Sequence, residues 1–166
     1  MTQETQQTQD SEDTAAPDGN VSQNQIIALI ANEVILAPGI GLRNIRLGEP
    51  LEEVENRLGP PAKILRKGIL RTIYTLIYQL DSGTEVALVG RSQVERIVVN
   101  GNSAALVRTA QGARFGMNRS LIQRIYKSPT KSKKDRLEYR NLGATFYFAG
   151  SGNSGVTRID IYPRRN

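Results

Sequence analysis

Apolar positions along this chain follow two periodicities, and each predicts an element. Leu51, Val54 and Leu58 recur at helical spacing. Pro50 suits the first helical turn, with Glu49 or its neighbour as the cap, and Glu52, Glu53 and Glu55 complement the positive helix end. Gly59 supplies a left-handed terminating position, and Pro60-Pro61 forbid continuation. A helix of about nine residues is too short to stand alone and requires a sheet beneath it. That sheet is written next. From Thr72 to Leu80 the pattern alternates, with Tyr74, Leu76, Tyr78 and Leu80 on one face. Asp81-Ser82-Gly83 is a turn, Glu85 to Val89 a second strand, Arg91-Ser92-Gln93 another turn, and Val94 to Val99 a third strand.

A second copy of this plan begins 68 positions later, where Arg46, Gly48 and Pro61 return as Arg114, Gly116 and Pro129. Leu121, Ile122 and Ile125 supply the second helix face, with Asn118 as its N-cap. Strands are predicted at Leu137–Arg140, Ala144–Ala149 and Val156–Tyr162, the last two joined by a mobile Gly/Ser-rich loop at 150–155. The expectation is an α+β fold: a tandem helix–β-meander repeat, short helices packed on an antiparallel sheet. Residues 22–166 then form one globular domain of two repeats, about 38–102 and 103–166. Upstream, Ile26–Ala31 and Val34–Ala37 form an apolar patch too short and broken to span a bilayer, expected as a short helix or strand on the core.

Composition narrows the chemistry. There is no cysteine and no histidine, which removes disulfides, thiolate metal sites and the commonest general base. Residues 1–21 are polar and acidic, with Glu4, Asp10, Glu12, Asp13 and Asp18 and no basic residue, and are expected to be disordered. The total of +6 therefore leaves +11 on the remainder, a balance that favours acidic partners. No signal peptide is visible. Such a tail is also what remains when an export signal is removed, so the location reads as periplasmic or outer-membrane-tethered in that case and cytoplasmic otherwise.

No catalytic constellation emerges, and the chain is read as a non-enzyme without cofactors or a small-molecule substrate. Ser128-Pro129-Thr130-Lys131 matches a Ser-x-x-Lys pattern, but its companion motifs are missing. Gly39-Ile40-Gly41 lacks the third glycine and the βαβ unit of a dinucleotide loop. The most chemical-looking stretch is 127–136, where Lys127, Lys131, Lys133, Lys134 and Arg136 face a single acid on an expected loop. A phosphate-rich or acidic polymer would be held there by charge, without base stacking, because no aromatic residue interleaves the cations. Tyr74 and Tyr78 are the candidate aromatic contacts of a sheet face.

Pro38-Gly39-Ile40-Gly41, Ile45–Val54, Leu58–Pro61 and Thr109–Gly116 with Ile122–Pro129 resemble the SmpA/OmlA (BamE-like) group of bacterial envelope lipoproteins. That group shares the fold of beta-lactamase inhibitor protein. The resemblance covers roughly residues 38–162 and rests on short structural motifs. Pro50 stands where the family has a Thr or Ser cap, Lys127 replaces a helix-ending glycine, and the lipid-bearing cysteine is absent. It implies a non-catalytic protein-binding or structural module of the cell envelope, with another envelope protein as partner. The alternative is a basic nucleic-acid or anionic-polymer binder, contacting an anionic surface through 127–136.

Overall fold

A computed structural model describes residues 34–81, 83–150 and 154–165. The expected acidic tail, the patch at Ile26–Ala31 and the centre of the 150–155 loop lie outside these residues.

Two sheets and two short helices make up the described chain. Strands β1 (Val34–Ala37), β2 (Gly41–Leu42) and β3 (Ile45–Arg46) precede helix α1 (Leu51–Leu58). Then come β4 (Lys63–Lys67), β5 (Ile73–Asp81), β6 (Thr84–Gly90), β7 (Arg96–Asn100) and β8 (Val107–Thr109). Helix α2 (Arg119–Tyr126) is followed by β9 (Lys131–Lys133), β10 (Arg136–Tyr139), β11 (Ala144–Phe148) and β12 (Val156–Ile161). The large sheet runs β4-β5-β6-β7-β12-β11-β10-β9 and is antiparallel throughout, with β7 and β12 pairing at its centre. The small sheet runs β3-β2-β1-β8, and its β1–β8 pair is parallel.

The α+β tandem helix–meander class is therefore corrected: among the described residues the protein is mostly β, with twelve strands against two eight-residue helices. The physical reason is pairing partners that local pattern does not announce. Strand β4 reads Lys-Ile-Leu-Arg-Lys and β9 reads Lys-Ser-Lys; neither alternates, and each forms by completing the edge of a sheet already nucleated by stronger strands. The small sheet depends on Val34–Leu36 meeting Val107–Thr109, a pairing across more than seventy residues.

Both helices lie on one face of the large sheet. Leu51, Val54 and Leu58 of α1 and Ile122 and Tyr126 of α2 are buried with Leu76, Tyr78, Leu88, Ile97, Val99, Leu137, Tyr139, Phe146, Ile159 and Ile161. These sheet residues share one side because they fall at alternate positions in register, as in Leu76↔Leu88↔Ile97↔Ile161. The helix ends are fixed in parallel fashion. Tyr78 Oη donates to the Gly59 carbonyl at 3.3 Å, and Tyr139 Oη donates to the Lys127 carbonyl at 3.2 Å. Burial pushes the Tyr78, Tyr126 and Tyr139 phenols up to about 12, so all three remain protonated donors well beyond neutrality.

Capping differs between the helices. Asn118 caps α2 as expected, its Oδ1 accepting from the Leu121 N–H at 3.0 Å. Leu121 itself is 38% exposed, so it contributes less to the apolar face than its spacing suggested. At α1 the N-cap is Pro50, which offers no side-chain acceptor. Glu49 instead accepts from the Arg46 N–H at 3.0 Å and pairs with Arg57 at 2.6 Å across the helix. Burial works to raise the Glu49 carboxyl, but these Arg57 and Arg46 contacts outweigh it and leave it lowered.

Candidate functional site

Strand alternation sends the other half of each strand to the face opposite the helices. Two rows cross it. One runs Arg136↔Tyr147↔Arg158↔Asn100↔Glu85, and the next runs Lys131↔Glu138↔Thr145↔Asp160↔Val98↔Ala87↔Ile77. The face is thus divided. Its β9–β12 half is charged and aromatic, while Ile77, Ala87, Val89 and Val98 give its β5–β7 half an apolar strip.

In the charged half two nearly buried carboxylates are each held by guanidinium groups. Arg158 Nε and Nη2 donate to Asp160 Oδ1 and Oδ2 at 2.6 and 2.8 Å, while Arg96 Nη1 stands 3.9 Å away. Arg136 Nε donates to Glu138 Oε1 at 2.9 Å, and Arg140 Nη2 donates to Oε2 at 2.9 Å. Hydrogen bonding from Arg136, reinforced by Arg140, holds the Glu138 carboxyl below the usual carboxylate range despite burial. Tyr147 lies between the two systems, with the guanidinium carbons of Arg158 and Arg136 4.6 and 5.7 Å from its ring centre. Thr145 and Tyr162 share a hydroxyl hydrogen bond of 2.9 Å beside it.

All of these except Arg158 line a hollow of about 700 Å³, completed by Arg91, Gln93, Glu95, Pro163 and Arg165. Its five arginines outnumber its three carboxylates, so it is net cationic. Arg96 and Arg140 keep side-chain exposures of 45% and 50%, which leaves N–H donors available to an incoming anion. The carboxylates are all engaged by arginine, so none is placed as a free general base. Among the described residues no group of three or more acidic side chains is clustered to hold a metal ion.

The sequence-selected residues fall in three places. Lys131 and Lys133 lie on β9, so the expected loop is the edge strand of the large sheet over those positions. Their register with Glu138 and Arg136 brings Lys131 and Lys133 to the same face as the charged network, at its margin. Arg136 belongs to the network itself, and Lys134 sits in the turn before it. Lys127 terminates α2 away from this group. Tyr78 is 3% exposed in the core and presents nothing to a partner, while Tyr74 is half-buried beneath Arg66 at 5.7 Å. Sequence reasoning missed Arg96, Arg140, Tyr147, Arg158 and Asp160. Their signal was legible: Arg136, Glu138 and Arg140, and Arg158, Asp160 and Tyr162, repeat polar side chains at the strand period on the face opposite the core.

Lys127 carries a prediction of its own. Its φ of 64° and ψ of −142° are a backbone conformation suited to glycine, imposed by the stop of α2 and the Tyr139 hydrogen bond. Lys127→Gly is expected to raise stability by about 1 kcal/mol, read from urea unfolding midpoints. An unchanged or lowered midpoint contradicts this strain.

No protein-family model matches the chain, and no curated protein matches it. Among solved structures, a cysteine-rich secretory protein from Staphylococcus aureus subsp. aureus Mu50 is similar, with a TM-score of 0.50 and 11% identity. The match covers 79% of this chain and 49% of that one, so this chain spans about half its length. At that identity the likeness concerns the fold alone.

Proposed function

We propose that this protein is a non-catalytic binding module of the bacterial cell envelope that holds another protein against the sheet face opposite its helices. One observation carries the reading: a net cationic hollow of about 700 Å³, with half-exposed Arg96 and Arg140, lies beside the partly exposed Ile77 and Val89 on the same face. A face that combines apolar area with partly exposed arginine suits protein contact, and it favours a partner presenting carboxylates. The envelope location is supported by the resemblance of Pro38–Gly41, Ile45–Val54, Leu58–Pro61, Thr109–Gly116 and Ile122–Pro129 to the SmpA/OmlA group. The arginine-held carboxylates act as scaffolding that fixes the guanidinium donors before the partner arrives, which reduces the ordering cost of binding.

The test is site-specific photocrosslinking in cells. A photoreactive side chain at Tyr147 is expected to give a discrete adduct, and one at Leu121 on the helix side is expected to give none. Arg96→Glu with Arg140→Glu is expected to abolish the Tyr147 adduct at some cost in thermal stability, because Arg140 donates to Glu138. Arg165→Glu, at an exposed lining position, is expected to weaken the adduct while leaving thermal unfolding nearly unchanged. Equal adducts from both positions, or an adduct indifferent to the charge reversals, would overturn the proposal. The alternative, an anionic polymer held by the β9 lysines, predicts salt-sensitive polyanion binding that Lys131→Glu and Lys133→Glu remove.

A further inference from the structure

The β4–β5 hairpin ends in the most exposed large apolar residues of the described chain. Ile69 and Leu70 are each 98% exposed, and neighbouring Ile64, Leu65 and Ile73 are about two-fifths exposed. A single exposed leucine is ordinary, but two adjacent side chains projecting from one tip, with more apolar surface behind them, form a patch that needs a reason. The tip has a defined conformation. Gly68 holds a φ of 97°, a side chain there would meet the Arg71 carbonyl at 2.8 Å, and Thr72 Oγ1 donates back to the Gly68 carbonyl at 3.4 Å.

Along the hairpin the charge has one sign. From Arg57 to Leu80 there are five basic residues and no acid, and Lys63, Arg66, Lys67 and Arg71 belong to the hairpin. All five residues of β4 are exposed, at the free edge of the large sheet.

We infer that this hairpin is a peripheral membrane contact, inserting Ile69 and Leu70 into an anionic phospholipid surface while Lys63, Arg66, Lys67 and Arg71 meet the headgroups. The chemistry favours lipid over a second copy of the chain. Two projecting side chains fall far short of the roughly 800 Å² per partner of a stable protein interface, whereas a bilayer requires no complementary pocket. Pairing of two β4 edges would also place Lys63, Arg66 and Lys67 of one copy against the same cations of the other. An anionic surface turns that repulsion into attraction. This site is independent of the protein-binding face, and either stands without the other.

The test is co-sedimentation of the full chain with vesicles of phosphatidylcholine alone or mixed with phosphatidylglycerol, at low and high salt. Binding is expected only with the mixed vesicles and is weakened by salt. Ile69→Ser with Leu70→Ser is expected to weaken it on the order of 30-fold, from lost insertion of two side chains. Lys67→Gln with Arg71→Gln is expected to weaken it about 25-fold, five-fold for each cation removed. Neither variant moves the unfolding midpoint, because these side chains are exposed. Absence of binding to the anionic vesicles, equal binding to neutral ones, or affinity that both variants leave unchanged would overturn the inference. So would a dimer seen by sedimentation equilibrium that Ile69→Ser with Leu70→Ser dissociates, which would assign the tip to a second copy.

Discussion

Phe146→Ala is expected to lower the unfolding free energy by about 3–5 kcal/mol. Phe146 is fully buried in β11, its ring centre 5.1 Å from that of Tyr126 and 6.0 Å from that of Tyr139. Tyr126 and Tyr139 stand 5.4 Å apart, so the three rings form one cluster that joins α2 to the second half of the sheet. Deleting the Phe146 ring removes its transfer free energy and leaves a cavity walled in part by two tyrosines. Each of those tyrosines is held in place by its hydroxyl, Tyr126 to Gln111 at 2.9 Å and Tyr139 to the Lys127 carbonyl. Pinned neighbours collapse poorly into a void, which places the cost toward the upper part of the range. Phe146→Leu keeps most of the volume and is expected to cost about 1.5 kcal/mol or less. Guanidinium unfolding followed by tyrosine fluorescence measures both, and a loss below about 1 kcal/mol for the alanine variant would remove the cluster from its structural role.

The same cluster shows what the sequence made legible. Ile122, Tyr126, Leu137, Tyr139, Phe146 and Ile159 lie at positions where helix or strand periodicity places an apolar face, and all are buried. The strong strands β5, β6, β10, β11 and β12 fall within one or two residues of their expected limits, because alternation and flanking turns mark them locally. What escaped was the strands whose own residues do not alternate, and the pairing of β1 with β8, which are distant in sequence. Strands β4 and β9 are cationic and lack alternation, yet each pairs over its length with β5 or β10. Counted together with the small sheet, they turn an expected balance of helix and strand into a mostly β protein.

The candidate site divides in the same way. The run of basic residues after Lys127 was conspicuous as composition, but composition carries no direction. Backbone pairing sorts that run, sending Lys131, Lys133 and Arg136 to the face opposite the helices and leaving Lys127 at a helix end. Tyr74 and Tyr78 read as aromatic contacts of a sheet face, but the strand period places both on the helix side. Tyr147, on the opposite face, is the ring that two arginines, Arg136 and Arg158, cover. A polar side chain in a strand tells which face it occupies only once the core face is known, and the core face here is set by the helices packed on it.

Arg158→Met tests whether the charged half of that face is a built structure. Asp160 has a side-chain exposure of only 3%, and its two oxygens accept from Arg158 at 2.6 and 2.8 Å. Removing the guanidinium leaves a buried carboxylate whose remaining cation, Arg96, is 3.9 Å away and half in solvent. The expected loss is about 3–5 kcal/mol, because breaking one side of a buried pair strands the other. Asp160→Asn is expected to cost less, since Arg158 keeps a side-chain exposure of 37% and can turn to water. The double variant Arg158→Met with Asp160→Asn is expected to be more stable than Arg158→Met alone, with a coupling energy of about 2 kcal/mol from a double-mutant cycle. If Arg158→Met costs under about 1 kcal/mol, or the two changes add without coupling, the pair is incidental. Tyr147 loses its nearer cation in the same substitution, so a face that needs Arg158 for its order also loses the Tyr147 crosslink in the double variant, where stability is partly restored. That separation of stability from binding makes the pair informative, because a merely structural role would let the crosslink recover along with the fold.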